Sequence, residues 1–170
     1  MVIFGLSGIL FVFYRRKRAA YRVLVLKSQE WAASTTLSVA PIKNVEGGKE
    51  QSVSDVDRQL FEQLQQLLQD ENLYRDSAIS IEVIARRMKI NRTYLSRAIN
   101  NCSRKNFNVY INEFRIKEAI KLMSADDKKF SLEGFAFETG FNDRRAFYRA
   151  FRKLTGLSPS DFRSNLQKSL

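Results

Sequence analysis

Two quartets of side chains in this sequence have similar types at one spacing. Arg92, Thr93, Ser96 and Arg97 form the first; Arg144, Arg145, Tyr148 and Arg149 form the second, 52 residues further on. Positions i, i+1, i+4 and i+5 fall on one side of a helix. Guanidinium groups held that way can make paired hydrogen bonds to phosphate or to the O6/N7 edge of guanine, and the hydroxyls add adaptable donors and acceptors. Little else here could do chemistry. The chain has no His, which removes the commonest general base and every Ser-His or Cys-His pair. Cys102 is the single cysteine, so neither an intrachain disulfide nor a cysteine zinc cluster can form, and a lone helical Cys reads as a small buried apolar group. Paired acids on one apolar face are absent as well. These residues point away from catalysis, and no catalytic residue, metal ligand or cofactor is expected.

The charge agrees. The 170 residues carry a formal net charge of +11, and residues 81–170 hold nearly all of the excess, with 19 Lys and Arg against 9 Asp and Glu. Such a balance calls for a polyanionic partner, nucleic acid or an anionic membrane surface.

The elements that must position the quartets form an internal repeat. Residues 79–99 (ISIEVIARRMKINRTYLSRAI) resemble residues 130–151 (FSLEGFAFETGFNDRRAFYRAF). At an offset of 51, Ile81, Ile84, Ala85 and Ile90 match Leu132, Phe135, Ala136 and Phe141. At an offset of 52, Leu95, Arg97, Ala98 and Ile99 match Phe147, Arg149, Ala150 and Phe151. In each copy a Ser, Ser80 or Ser131, can cap a short helix. A small residue, Ala85 or Ala136, lets a second helix cross closely, and Ile90 or Phe141 plugs the space between them. The second helix packs through Leu95 and Ile99, or Phe147 and Phe151, and turns its quartet outward. This is the helix-turn-helix plan, in which the second helix enters a DNA major groove. Between the copies, residues 107–123 form a linker helix apolar on more than one side through Tyr110, Ile111, Phe114, Ile116, Ile120 and Met123. At roughly 25 Å it can hold two recognition helices apart for grooves that recur every ~34 Å.

The expected class is all-α: two helix-turn-helix units (about 80–102 and 131–155) within a domain over 56–170. Leu60, Phe61, Leu64, Leu67 and Leu68 give the domain's first helix one apolar face, with Asp55 or Asp57 as its cap. Residues 34–55, with Pro41 and Gly47–Gly48, read as a flexible linker. Residues 1–14 are apolar or small throughout and are followed by Arg15, Arg16, Lys17 and Arg18. Basic residues after the apolar run suit the cytoplasmic end of a membrane helix better than a signal peptide. Fourteen residues reach only ~21 Å, short of a ~30 Å bilayer core. The segment is read as the end of a transmembrane helix, with a soluble apolar helix as the alternative. Residues 15–33 read as a juxtamembrane helix whose stripe, Tyr21, Leu24 and Val25 with Trp31 beyond, would pair with a second copy or lie on the bilayer.

RIKEAIKLM (115–123), LEGFAFETGF (132–141) and AFYRAFRKLTGLSPSDFR (146–163) closely resemble the AraC/XylS-type regulator signature. Its elements stand here as Arg115, Ile116, Ala119, Gly140, Phe141, Phe147, Arg149, Phe151, Gly156, Ser158, Pro159, Phe162 and Arg163. The resemblance covers about residues 56–170. It implies a DNA-binding domain of about seven helices that acts on promoters, often through RNA polymerase, with Thr93, Ser96 and Arg97 at positions that read bases. Some members of the family have a similar layout of sensor, membrane helix and cytoplasmic domain. Two departures stand out. Arg104 occupies a position where the family usually has Gly, which puts that turn's geometry in question, and Phe135 stands where Ile or Leu is commoner.

The expected function is therefore sequence-specific binding of double-stranded DNA by a transcription regulator, tethered to the inner membrane with its DNA-binding domain in the cytoplasm. A homodimer and a polymerase contact are open. The alternatives are a membrane-anchored helical adaptor or a nonspecific RNA-binding module, neither of which needs two basic second helices. Lys105, Lys121, Lys128, Lys129, Arg152 and Lys153 are expected on phosphate or in solvent, and Arg149 has a second reading as a brace paired with Glu138 or Asp143.

Overall fold

A computed structural model describes residues 20–34, 53–125 and 130–167. Every regular element among them is helical: α1 over 20–33, α2 Asp55–Asp70, a 3-10 turn Leu73–Arg75, α3 Ile81–Arg87, α4 Arg92–Ser103, α5 Phe107–Ser124, α6 Leu132–Glu138, α7 Arg144–Thr155 and α8 Pro159–Gln167. No described helix is long and apolar enough to cross a membrane. The apolar run 1–14 and its basic flank lie outside the described residues, as does most of the linker 34–55.

Side-chain caps start most of these helices. Ser80 accepts from Val83 N, Asn91 from Thr93 N, Asn106 from Val109 N, Ser131 from Gly134 N and Asp143 from Ala146 N, each satisfying an amide that the first turn leaves without a partner. For α2 the cap is Ser54, which accepts from Val56 N, rather than Asp55 or Asp57. Asp57 has another role: it is buried against α4.

Two apolar cores follow from the repeat. Phe61, Leu64, Leu68, Ile84, Leu95 and Ile99 build the first; Phe135, Phe147, Phe151, Leu157 and Phe162 build the second. The 18-residue α5 serves both, giving Tyr110, Ile111 and Phe114 to the first and Ile116, Ala119, Ile120 and Met123 to the second. That double duty explains why α5 is apolar on more than one side. Full burial of each large side chain contributes roughly 1.5–3 kcal/mol.

The copies agree at the hydrogen-bond level. Ile90 N donates to Ala85 O at 3.0 Å, and Phe141 N to Ala136 O at 2.9 Å. Within these turns Lys89 and Gly140 hold the same left-handed conformation, at φ 56° and 89°. Each second helix then ends alike. Arg104 N donates to Asn100 O at 3.0 Å, Gly156 N to Arg152 O at 2.9 Å, and both residues are left-handed, at φ 57° and 77°. Arg104 therefore keeps the turn that Gly makes in the second copy, with the strain of a Cβ in that region. Alignment at 52 also pairs Leu64 with Ile116 and Leu68 with Ile120, all buried, so α5 is the first helix of the second copy as α2 is of the first.

Helix α1 departs from expectation. Its stripe is occupied by this chain's own second unit: Val25 and Ala32 are buried in that core, with Tyr21, Leu24 and Trp31 packed around them. Lys117 Nζ donates to Ser34 O at 2.8 Å and to Ser34 Oγ at 3.1 Å, and it lies 5.0 Å from the Trp31 ring centroid. A cation on the last carbonyls of a helix is favourable. The second core, including the α5 side chains Ile116, Ala119, Ile120 and Met123, gives this stripe an apolar surface within its own chain, so neither a partner copy nor a bilayer is needed to cover it.

Candidate nucleic-acid interface

The folded repeat places the quartets on the outer faces of its second helices. On α4, Leu95, Ala98, Ile99 and Cys102 are buried, which leaves Arg92, Thr93 and Arg97 exposed and Ser96 half-buried. On α7, Phe147 and Phe151 are buried, Arg144, Arg145 and Arg149 exposed, and Tyr148 half-buried. Both helices start on side-chain caps, so their first turns are fixed where side chains would reach a groove.

The two faces are not electrostatically equal. Arg92 pairs with Glu82 at 2.9 Å, both side chains well exposed. Arg97 donates from Nε and Nη2 to Asp57 Oδ1, each at 3.0 Å, and Asn101 Nδ2 holds Oδ2 at 2.8 Å. The Asp57 carboxylate is 2 % exposed and the Arg97 side chain 49 %. One edge of the guanidinium is thus committed to the first helix of its unit, and the guanidinium carbon also lies 5.2 Å from the Tyr94 ring centroid.

On α7 the arrangement differs. Arg144 stacks 5.0 Å from the Tyr148 ring centroid, and the Tyr148 hydroxyl meets Ser160 Oγ of α8 at 3.2 Å. Arg149 forms no ion pair among the described residues. The two acids foreseen for it are otherwise engaged, Glu138 lying 3.8 Å from Arg75 and Asp143 capping α7. Arg149 instead lines an apolar recess with Val109, Asn112, Ala146, Ala150, Lys153 and Leu154. The brace expected on Arg149 is found on Arg97. The signal lay in the repeat, because the offset of 52 sets Val109 against Arg149 where Asp57 stands against Arg97.

Other residues also reach these faces. Asn100, one turn beyond Ser96, is exposed on α4; Arg152 and Lys153 are exposed at the end of α7. Lys105 pairs with the buried Glu113 at 2.7 Å, a structural bond for a side chain expected on phosphate or in solvent. Lys128 and Lys129 lie outside the described residues. Cys102 is buried, which pushes its thiol up from the ordinary value and suits a packing group. Among the described residues no group of His, Cys, Asp or Glu is arranged to hold a metal.

This geometry has known relatives. Residues 84–165 match the family model described as a helix-turn-helix domain. The chain is 29% identical over 93 residues to the Msm operon regulatory protein of Streptococcus mutans, an alignment covering 55% of this chain and 33% of that protein. It is 34% identical over 94 residues to the HTH-type transcriptional regulator YijO of Escherichia coli, covering 55% and 32%, and 30% identical over 93 residues to the melibiose operon regulatory protein of Escherichia coli, covering 55% and 30%. The match thus spans about a third of the length of these relatives. In fold the chain is similar to the C-terminal domain of AraT, a response regulator from Geobacillus stearothermophilus, with TM-score 0.53, 21% identity, and coverage of 66% of this chain and 86% of that one. A protein from Listeria innocua gives TM-score 0.55 at 23% identity, over 61% and 94%. Residues 84–165 thus resemble a helix-turn-helix domain, and the relatives that share this stretch are named as operon or transcription regulators.

Proposed function

We propose that this chain binds double-stranded DNA sequence-specifically and regulates transcription, with α4 and α7 entering two successive major grooves. The observation that carries this reading is the repeat itself: two helix-turn-helix units, each capped, each turning a basic face outward, held on one shared helix. Arg144, Arg145, Tyr148 and Arg149 are the base-reading candidates on α7, and Arg92, Thr93 and Ser96 on α4. Arg97 joins them through its exposed edge alone. An arginine aligned on guanine gives ~1–3 kcal/mol of discrimination, and the remaining cations would supply the phosphate contacts that set register. Residues 1–18, an apolar run closed by four basic residues, support on sequence grounds the further reading that the domain is the output part of a membrane-linked sensor.

Selection from a randomised duplex pool by the purified chain, followed by sequencing, tests the proposal. Two short enriched motifs about one helical turn apart are expected. Recovery of DNA with no enriched sequence would return the chain to the nonspecific or adaptor readings.

A further inference from the structure

The two units touch away from their outward faces, at the segment 72–78 that follows α2. Arg115 of α5 donates from Nε to Tyr74 O at 2.7 Å and from Nη2 to Asp76 O at 3.0 Å. Its guanidinium carbon sits 5.4 Å from the centroid of the Phe141 ring, in the turn of the second unit. The group is half-buried, and burial holds it below the ordinary arginine value, so its carbonyl partners replace lost water. Around it, Arg75 pairs with Glu118 of α5 and lies 3.8 Å from Glu138 of α6, while Asn142 Nδ2 donates to Ser77 O at 3.3 Å. At the centre is Gly140. A Cβ there would lie 2.6 Å from Tyr74 O and 2.7 Å from Arg75 O, both backbone atoms that cannot swing aside.

A single shared helix would let the units bend and twist against each other. This junction removes that freedom by seating the second turn directly on the backbone of the first unit. We propose that the junction of Arg115, Gly140 and Asn142 with segment 72–78 sets the distance and angle between α4 and α7, and so dictates the spacing of the two DNA motifs. These are positioning residues, and the inference rests on the two-groove reading above. One base pair of extra spacing moves a motif by ~3.4 Å and turns it by ~35°. A rigid pair of units cannot follow, so a one-base-pair change should weaken binding about 10-fold or more.

The test uses the full chain and two readouts. In the first, duplexes carry the selected motifs at spacings varied one base pair at a time. In the second, nitroxide labels at Asn100→Cys and Arg152→Cys, with Cys102→Ala, report the distance between α4 and α7 without DNA. Gly140→Ala is the wedge. The pair Arg75→Ala with Asn142→Ala is milder, removing side chains at exposed positions in case the wedge fails to fold. The wild type should give one narrow distance and one preferred spacing. A folded variant should broaden the distance and flatten the spacing penalty to about 3-fold or less. Folded variants that keep the wild-type distance and spacing profile overturn the proposal, as does a broad distance in the wild type. A narrow distance that the variants broaden, in a chain that selects only one motif, supports the junction and removes the two-groove reading.

Discussion

Arg97 and Asp57, 40 residues apart in sequence, are joined by two guanidinium bonds of 3.0 Å, and the repeat gives Arg149 no such partner because Val109 occupies the matching place. The same residue type at the same point of two copied helices thus has two jobs. Removing Arg97 leaves a buried carboxylate supported by Asn101 alone among the described hydrogen bonds, since the Cys102 thiol donates to the Asp57 backbone carbonyl at 3.6 Å and not to the carboxylate. An uncompensated buried charge is expensive. Arg97→Ala should therefore cost about 2 kcal/mol of stability, discounted from a fully buried pair because half of the guanidinium is in water. Arg149→Ala should change stability by less than about 0.5 kcal/mol. Urea unfolding of the two variants side by side decides the matter, and equal midpoints would show that Asp57 does not depend on Arg97.

The left-handed residues give a second contrast. Arg104 at φ 57° and Gly156 at φ 77° close equivalent helices, but only Arg104 has a Cβ there. Arg104→Gly should stabilise the fold by about 0.5–1 kcal/mol, the relieved strain less the extra entropy of Gly in the unfolded chain. Gly156→Ala should destabilise by about 1 kcal/mol through backbone strain alone, since its added methyl would meet only Leu24 methyls at an ordinary 3.9 Å. Thermal melts of both substitutions should move in opposite directions, and a lower melting temperature for Arg104→Gly would mean its side chain holds something the strain does not outweigh.

Much of this fold is legible in the sequence because its determinants are local. Apolar residues at helical spacing, Ala85 and Ala136 at the crossings, and Ile90 and Phe141 as plugs reveal both units and their order. What the sequence hides depends on distant partners. Ser54, Asp55 and Asp57 are all good caps, and only the approach of Arg97 and Asn101 shows why Asp57 is drawn inside. Lys89 carries no turn signature, yet it takes the left-handed place of Gly140 because the repeated turn demands it. Gly140 is visible as a turn residue, but the carbonyls of Tyr74 and Arg75 crowding it are not. The apolar stripe of α1 is equally visible, while its destination is a property of the second core.

That destination makes a third prediction. Val25 is 4% exposed against the second core, so Val25→Ala should leave a small cavity and cost about 2 kcal/mol. The loss should appear in dilute protein without lipid, and unfolding of the wild type should not depend on protein concentration. A wild-type midpoint that rises with concentration would return the stripe to pairing with a second copy. An unchanged midpoint in Val25→Ala would show that α1 does not hold the second unit.

The fourth prediction separates reading from holding on α7, where Arg149 and Lys153 are both exposed and sit one turn apart. Arg149 can present a flat paired donor to a guanine edge, whereas Lys153 offers a point charge. On duplexes carrying the selected motifs, Arg149→Ala should lose ~1–3 kcal/mol of discrimination at one or two base positions. Lys153→Ala should weaken all duplexes alike and lower the slope of log affinity against log salt by about 0.9. Position-by-position competition at two salt concentrations measures both effects. Uniform loss across all sequences for both substitutions would assign Arg149 to phosphate and move base reading on α7 to Arg144, Arg145 and Tyr148.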